Sequence, residues 1–358
     1  MIRVGTFNLN NLFDRFNFHA EVTASPHVRA TYRWRLDPDR DILPPPEEGP
    51  ETDEEGAVLI EGETPVHIEL SPQGRVVRPK PPRHLEALLA RTDRLNADVL
   101  AVQEVENIGA LREFNSRLDA PYRYVVLIEG NDPRFIDVGV LSRLPIRSAI
   151  SHRWVPNPDD PGRFLFSRDV MAVEILNHAR TARLFTLWVG HLKSKFIDLR
   201  ITDPAAIAAA HQRNDDKRRR QAQAMHDIIE AHHAATDPYV VCGDFNDHPT
   251  SATLNPLIQG NLNLRDVLHG GVRVDFERAE GDGPRISNPE DQPNDEDWTH
   301  RLSVSNGPDV YERFDQMLLS PTLQPAQTGA RIQRRTHWGK NNAGSDHDPL
   351  SVDLDLNP

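Results

Sequence analysis

Short runs of β-branched and aliphatic residues, each bounded by turn-forming residues, recur along this sequence. Two longer stretches have a different character: residues 84–95 carry leucines at helical spacing after a proline-rich entry, and residues 204–235 are rich in alanine. The long stretches predict helices, and the short runs predict strands over residues 4–9, 97–102, 122–128, 136–141, 170–176, 183–189, 239–242, 314–319 and 350–354. Strands alternating with a minority of helices predict a layered α/β architecture with large sheets.

Two stretches interrupt this pattern. Residues 14–82 are rich in proline and include an acidic cluster at 47–55, and residues 277–297 are acidic and rich in glycine, proline and asparagine. Long irregular connections of this kind are uncommon inside a compact core. A chain of 358 residues is long enough for one large domain or two small ones, and nothing in the pattern requires two. We therefore expect a single domain over residues 1–358, with insertions at 14–82 and 277–297.

Composition narrows the class of protein. The chain carries 41 Lys and Arg against 54 Asp and Glu, a formal charge of −13. This argues against a protein that coats nucleic acid, although it allows a nuclease with a locally basic groove. A single cysteine, Cys242, excludes an intramolecular disulfide. The first residues already predict a strand rather than a signal peptide, and no apolar run reaches membrane-spanning length. We expect a soluble cytoplasmic protein without a membrane anchor.

Five short motifs lie at the ends of predicted strands and carry polar residues there. In layered α/β folds, functional side chains tend to converge at strand ends. Each motif alone has an ordinary reading: Asn8 and Asn10 as turn formers, Glu104 as a solvated carboxylate, His191 as a core histidine. All five together favour one site; they are Thr-Phe-Asn-Leu-Asn-Asn at 6–11, Leu-Ala-Val-Gln-Glu-Val-Glu-Asn at 100–107, Trp-Val-Gly-His-Leu-Lys-Ser-Lys at 188–195, Val-Val-Cys-Gly-Asp-Phe-Asn-Asp at 240–247 and Gly-Ser-Asp-His-Asp-Pro-Leu at 344–350.

In this order, Asn8, Gln103-Glu104, Gly-Asp-Phe-Asn at 243–246 and Ser-Asp-His at 345–347 resemble the signature of the endonuclease/exonuclease/phosphatase superfamily. That group includes abasic-site endonucleases, pancreatic-type deoxyribonucleases, neutral sphingomyelinases and inositol-polyphosphate phosphatases. The resemblance runs from about residue 1 to 355, with both insertions unmatched. It implies a four-layered α-β-β-α sandwich with two central mixed, mainly antiparallel sheets, and a metal-dependent phosphodiesterase.

The resemblance also implies a metal site. Glu104 is the expected principal ligand of Mg²⁺, with Mn²⁺ as the alternative ion, because Mg²⁺ prefers few carboxylates and several waters. Asn8, Asn10 and Asp346 would complete the site. Some relatives have Asp where this chain has Asn10, which leaves direct ligation by Asn10 open.

Catalytic roles follow from the same resemblance. Phosphodiester hydrolysis requires charge on the phosphate to be neutralised, water to be activated and the leaving oxygen to be stabilised. Asp244 would align or deprotonate the attacking water, and Asn246 would donate a hydrogen bond to the phosphate. His347, oriented by Asp315, would contact the phosphate or act as general base. His191 would protonate the leaving oxygen.

Basic residues nearby suggest how a substrate is held. The segment 130–143 resembles a subgroup of bacterial nuclease-like members, in which Arg134 would clamp a phosphate, and Asp137 would tether His191 or Arg134. Lys193 either holds a phosphate oxygen or is simply solvated.

A dense basic run, Lys-Arg-Arg-Arg at 217–220, is open to two interpretations. It could line a nucleic-acid groove, or it could pair with neighbouring acids such as Asp215 and Asp216. We favour the second.

The reaction class is better defined than the substrate. A nuclease, most simply an endonuclease on DNA with RNA as an alternative, is the first prediction, with nucleic acid as the partner and no stable protein partner inferred. A lipid or inositol-phosphate hydrolase is second, although no basic amphipathic helix with exposed aromatics supports it. A binding module that has lost catalysis is third, and the intact set of Glu104, Asp244, Asn246 and His347 argues against it.

Overall fold

The computed structural model describes residues 1–13, 20–21, 71–72, 80–197, 201–269, 297–302, 310–334 and 344–357. By contacts the chain divides into two compact units, one formed by Met1–Phe13 with Lys80–Pro358 and the other by Asp14–Pro79. In the second unit the described residues form one two-stranded antiparallel pair, Ala20–Glu21 with Ser71–Pro72. The remainder of the predicted insertion 14–82, and residues 277–296 of the other, lie outside the described residues, apart from 80–82, which belong to the first unit.

The elements are numbered in chain order. The described helices are α1 (Pro82–Leu95), α2 (Ile108–Ser116), α3 (Pro204–His232) and α4 (Asn255–Ile258). The described strands are β1 (Ile2–Leu12), β2 (Ala20–Glu21), β3 (Ser71–Pro72), β4 (Val99–Val105), β5 (Tyr124–Leu127), β6 (Asp137–Ser142), β7 (Ile146–Ser151), β8 (Pro156–Asn157), β9 (Asp160–Phe164), β10 (Val170–Leu176), β11 (Arg183–His191), β12 (Tyr239–Asp244), β13 (Arg265–Asp266), β14 (His300–Leu302), β15 (Val310–Glu312), β16 (Asp315–Leu319), β17 (Gln327–Ile332) and β18 (Leu350–Leu354).

Two six-stranded sheets form the centre of the first unit. Sheet 1 has the order β17-β18-β1-β4-β6-β5, and sheet 2 has the order β13-β16-β12-β11-β10-β7. In each sheet one central pair is parallel, β1 with β4 and β11 with β12, and the other pairs are antiparallel. The sheets are therefore mixed and mainly antiparallel, as the sequence predicts.

Alternating side chains on the strands explain the layers. In β1, Ile2 and Val4 join one apolar cluster between the sheets, whereas Phe7 and Leu9 join a second cluster with α1 and α2. A third cluster packs α3 on the opposite face of sheet 2, around Trp188. Because successive residues of a strand point to opposite faces, each sheet covers its partner on one side and helices on the other. This is the four-layered α-β-β-α sandwich.

The secondary-structure predictions are confirmed in outline. Each of the nine predicted strands coincides with an observed one to within a few residues, and both predicted helices are present as α1 and α3. The sequence reading missed α2, which begins after Asn107, whose side chain caps the backbone N–H of Ala110. It also missed β7 and β17. Among the described residues, no helix is long and apolar enough to cross a lipid bilayer.

Candidate active site

Three predicted catalytic residues form a row across one end of sheet 2. The register pairs His191 of β11 with Asp244 of β12, and Asp244 with Asp315 of β16. Each lies two residues from a side chain of the inter-sheet core, such as Val189 and Met317, so all three face sheet 1. All are buried, and the Nε2 atom of His191 lies 3.4 Å from Oδ2 of Asp244.

Sheet 1 supplies the opposing residues. Asn8 has the same parity as Val4, points between the sheets, and donates from Nδ2 to Oδ2 of Asp244 at 2.9 Å. Glu104 would face the helices by simple alternation. A register shift between Gln103 and Val105 and a left-handed φ of 59° change its direction. Its Oε1 atom lies 4.0 Å from Nε2 of His191.

The loop before β18 brings the last pair of residues into this centre. The hydroxyl of Ser345 donates to the backbone oxygen of Asn8 at 2.7 Å and accepts from the backbone N–H of His347 at 3.0 Å. This docks Asp346 and His347 on β1. Asn10 donates from Nδ2 to Oδ1 of Asp346 at 2.8 Å. Residues separated by more than 300 positions therefore meet at one place.

His347 is held between carboxylates. Its Nδ1 atom lies 2.7 Å from Oδ2 of Asp315, and its Nε2 atom lies 3.8 Å from Oδ2 of Asp244. Burial lowers the pKa of His347, but the charges of Asp315 and Asp244 outweigh burial and raise it to about 10. His347 is therefore an imidazolium at neutral pH, with Nδ1 occupied and Nε2–H directed into the centre.

Asp244 has fixed carboxylate oxygens and an unusual affinity for a proton. Its Oδ1 accepts from the backbone N–H of Asn246 at 2.8 Å, and its Oδ2 accepts from Asn8. Burial raises the pKa of Asp244 to about 7; the charge of His347 lowers it, while Asp315 raises it further. A carboxylate poised near neutral pH is suited to exchanging protons.

His191 has the opposite character. Burial lowers the pKa of His191 well below its ordinary value, and the positive charges of Arg168 and His347 lower it further. Its Nδ1 atom has no hydrogen-bond partner among the described residues. The resting imidazole is therefore neutral, and the two histidines of the centre differ in charge.

The predicted metal ligands fit a hard divalent cation. Glu104 and Asp346 supply carboxylates, and Asn8 and Asn10 supply amide oxygens, which are the donors Mg²⁺ and Mn²⁺ prefer. The Oε2 atom of Glu104 accepts from the backbone N–H of Asn11 at 3.0 Å, and the neighbouring Asn10 donates to Asp346, so one short segment of β1 contacts both carboxylates. Asn10 and Glu104 both have left-handed backbones, with φ of 47° and 59°. Strain of this kind, costing on the order of 1–3 kcal/mol per residue, clusters at functional sites.

Two residues of the centre were not predicted from the sequence. Lys80 donates from Nζ to the backbone oxygens of Asn10 at 2.5 Å and Gly344 at 2.7 Å, tying β1 to the Ser-Asp-His loop. His300 places Nε2 3.5 Å from Oδ2 of Asp346. Neither follows a predicted strand, so the rule that located the five motifs could not find them.

Basic residues line one side of the centre, and the most buried of them was also missed. Arg168 donates to the backbone oxygen of Leu192 at 2.7 Å and pairs with Asp132 at 3.4 Å. Asp132 also accepts from Arg134 at 3.1 Å, and much of the Arg134 side chain remains exposed. Burial lowers the pKa of Lys193 to about 8, and Arg168 and Arg134 lower it further. Arg168 lies two residues before β10, so a search of the starts as well as the ends of predicted strands would have found it.

Some predicted contacts take another form. Asn246 lies in the centre, but its Nδ2 donates to the backbone oxygen of Leu192 at 3.1 Å. Asp137, considered as a tether for His191 or Arg134, contacts neither; its Oδ1 accepts from the backbone N–H of Gly130 at 2.7 Å. Burial raises the pKa of Asp137 to about 7.

Much of the basic run at 217–220 is neutralised. Arg218 is buried and bonds Asp215 and Asp247, while Arg219 pairs with Asp216. Arg220 contacts Asp159. These contacts agree with the interpretation that the run pairs with acids. The remaining member, Lys217, has a pKa that burial lowers and that the charge of Arg168 lowers further.

Comparison with known proteins gives a family and a fold. A sequence model of the Endonuclease/Exonuclease/phosphatase family matches residues 68–347. No curated protein matches the chain. Among solved structures, family proteins from Bacteroides thetaiotaomicron and Bacteroides vulgatus each match with a TM-score of 0.50 and 14% identity. The matches cover 76% of this chain in both cases, and 86% and 90% of those chains, respectively. At such low identity the two structures establish similarity of fold alone.

Proposed function

The chain belongs to the endonuclease/exonuclease/phosphatase family, and we propose that it is a metal-dependent nuclease that hydrolyses phosphodiester bonds in DNA. Members of this family are phosphoester hydrolases, so the reaction class follows from membership. The observation that carries the proposal is the buried row of His191, Asp244 and Asp315 facing His347. It combines a neutral imidazole, a carboxylate that titrates near pH 7 and an imidazolium around a space lined by further oxygen donors.

Glu104, Asp346, Asn8 and Asn10 would hold the metal ion. Bound there, Mg²⁺ or Mn²⁺ would supply positive charge for the non-bridging oxygens of the phosphate and for the leaving oxygen. Lys80 braces this ligand set, because its ammonium group bonds the backbone on both sides of the site.

Asp244 is the best candidate for the general base. Its raised pKa makes the carboxylate a stronger proton acceptor than an exposed aspartate, and Asn8 and Asn246 fix the direction of its oxygens. We infer that Asp244 orients the attacking water and accepts its proton. The backbone of Asn246 thus contributes through Asp244, in addition to any contact of its side chain with phosphate.

His347 is better suited to the phosphate than to proton abstraction. The sequence left both roles open, but an imidazolium has no lone pair with which to accept a proton. Asp315 holds Nδ1–H, so Nε2–H remains for a charge-assisted hydrogen bond to a phosphate oxygen. The bond would strengthen as negative charge develops in the transition state.

His191 would assist the leaving oxygen. Its neutral resting state follows from burial and from the cations around it. An incoming phosphate brings negative charge into the same space and would raise the pKa of His191, allowing it to take up a proton and deliver it. Arg168, Arg134 and Lys193 would bind phosphate oxygens on this side.

Assays with several classes of phosphoester substrate test the proposal directly. Purified protein would be incubated with supercoiled plasmid, single-stranded DNA, RNA, sphingomyelin and phosphoinositides, each with Mg²⁺, Mn²⁺ or a chelator. We expect DNA cleavage that the chelator abolishes and that His347→Ala reduces by at least about 10²-fold. His178→Ala, an exposed histidine in the turn between β10 and β11, is the matched control.

Other outcomes separate the alternatives. Phosphate or phosphorylated headgroup released from the lipids, with no cleavage of nucleic acid, would replace the nuclease with a lipid or inositol-phosphate hydrolase. A folded protein that turns over none of these substrates with either metal would instead be a binding module.

A further inference from the structure

Two aromatic rings are exposed where the small hairpin of β8 and β9 joins sheet 2. Trp154 is 57% exposed and Phe164 is 39% exposed, with ring centroids 4.9 Å apart in an edge-to-face arrangement. The same hairpin has a buried side, since Leu165 is almost fully covered and its N–H bonds the oxygen of Val155. The hairpin therefore buries one apolar side and also exposes Trp154 and Phe164 on its outer side. An indole left in water is an informative exception to burial.

A third exposed ring lies on the neighbouring loop. Phe135 directly follows Arg134 and has a left-handed φ of 56°, a strained conformation for an aromatic residue. Its backbone N–H bonds the oxygen of Asp132 at 2.9 Å, which holds this conformation. Asn131 fastens the loop to the base of the hairpin by donating to the backbone oxygens of Arg153 at 2.7 Å and Phe166 at 3.0 Å.

Cations accompany the rings and connect them to the centre. The guanidinium of Arg153 lies 4.2 Å from the Trp154 ring centroid. Arg163, on β9, is largely exposed. Burial lowers the pKa of Lys217, and the charges of Arg168 and Arg163 lower it further. Arg220 of α3 contacts Asp159 of the hairpin, and Lys217 lies three residues earlier on the same side of that helix, which places Lys217 beside the hairpin.

This distribution is unusual for the protein as a whole. The chain has a net charge of −13, yet positive groups concentrate on this side. The acids among them are engaged: Asp132 pairs with Arg134 and Arg168, and Asp160 lies 3.3 Å from Arg163. A polyanion passing the centre would find compensating charge here.

We propose that this aromatic–cationic face, formed by Phe135, Trp154 and Phe164 with Arg153, Arg163 and Lys217, binds unpaired nucleotides beside the scissile phosphate. The inference rests on the proposed nuclease function and narrows it to single-stranded nucleic acid, or to single-stranded segments flanking a duplex. Stacking on exposed rings requires access to the flat face of a base, which a duplex hides within its own stack. Cations between the rings then hold the backbone phosphates.

A membrane is the less suitable occupant. A bilayer-inserting hairpin presents continuous apolar surface, whereas here charged groups are interleaved with the rings. Arg153 lies over Trp154, and Asp159 and Asp160 lie in the hairpin itself.

Binding measurements test the face separately from catalysis. Fluorescence anisotropy would follow a labelled twelve-nucleotide single strand, its duplex, and vesicles of phosphatidylcholine with phosphatidylserine, all in chelator to prevent cleavage. We expect tighter binding of the single strand than of the duplex. Trp154→Ala with Phe164→Ala should weaken single-strand binding about tenfold or more and duplex binding less than about twofold. The single variant Trp154→Phe keeps an aromatic ring at this position and should retain most of the wild-type affinity for the single strand.

A charge variant supplies the matched comparison. Arg163→Ala should weaken single-strand binding and reduce its dependence on salt concentration. Arg180→Ala removes another exposed arginine, from the turn between β10 and β11 at the end of these strands remote from His191, and should change neither quantity. Circular dichroism and thermal melting of every variant would show that the fold is retained.

The outcomes distinguish the inference from the function beneath it. DNA cleavage by the wild type with unchanged single-strand binding in the Trp154/Phe164 double variant would overturn the inference and leave the nuclease standing. Vesicle binding that the double variant loses, with oligonucleotide binding unchanged, would also overturn it. A wild type that neither binds nor cleaves any nucleic acid would remove the proposed function, and the inference with it.

Discussion

The substitution Asp315→Asn probes how the active site controls the charge of His347. The two side chains are buried and joined at 2.7 Å. A rise in the pKa of His347 from 6.5 to about 10 corresponds to roughly 5 kcal/mol in favour of the imidazolium. Asp315 makes the largest favourable contribution to that rise, ahead of Asp244. Asparagine keeps the shape but removes the charge, so burial should dominate and His347 should lose its proton at neutral pH.

Activity should fall accordingly. We expect kcat/KM at pH 7.5 to drop by about 10²- to 10⁴-fold, because both the charge and the ring orientation of His347 are disturbed. Stability should change in a defined pH range. In the wild type this pair stabilises the fold below pH 6.5, and the contribution is lost as pH rises through about 10. The variant should lack that dependence.

Two measurements check this reasoning. Nuclear magnetic resonance titration of the His347 ring would give its pKa directly, and steady-state kinetics would give kcat/KM. Asp353→Asn is the control, since Asp353 pairs with Arg3 and Arg331 near the start of β1, away from the centre. It should cost stability but leave kcat/KM near the wild-type value. An Asp315→Asn protein with an unchanged His347 pKa, or with kcat/KM within about fivefold of wild type, would refute the argument.

Three further outcomes are expected. The pH profile of kcat/KM should rise through about 7 as Asp244 loses its proton and fall above about 10 as His347 loses its own; a rate that is constant from pH 6 to 8 would argue against Asp244 as the base. Glu104→Gln should weaken Mn²⁺ binding, measured by calorimetry, by at least about tenfold, because a charged ligand becomes neutral; unchanged affinity would move the metal elsewhere. Gly243→Ala should lower the free energy of unfolding in urea by about 3 kcal/mol or more, because its φ is 135° and a Cβ would overlap the backbone oxygen of Gly190; an unchanged midpoint would contradict that geometry.

The sequence predicts the sheets well because their strands are dense in buried β-branched residues. Segments such as 170–176 and 239–242 are apolar nearly throughout, which is typical of strands covered on both faces. Strand β17 was missed because its Gln, Thr, Gly and Arg residues follow no such pattern, and it pairs with only one neighbour at the edge of sheet 1. Edge strands depend on tertiary pairing rather than on their own composition.

The residues of the candidate site also fall into a group that the sequence predicts and a group that it does not. Asn8, Glu104, His191 and Asp244 lie in or next to strands that the sequence identifies, and the five motifs together with the family resemblance indicate that they converge. Arg168 and Lys80 reach the centre from loops, and His300 reaches it from the short strand β14; their positions follow from side-chain contacts that no local pattern encodes. The charge states are equally inaccessible from sequence, since burial and neighbours give His191 and His347 opposite shifts.

Because β1 pairs with β18, the site can be completed only late in the synthesis of the chain. Strand β1 leaves the ribosome long before its neighbour β18 and the loop that carries His347. A nascent chain lacks Asp315 and His347 after every other predicted catalytic residue has already been synthesised. The proposed nuclease, assembled in this order, would not cut nucleic acid until both have emerged, and translation products that terminate before residue 347 would lack the histidine of the site.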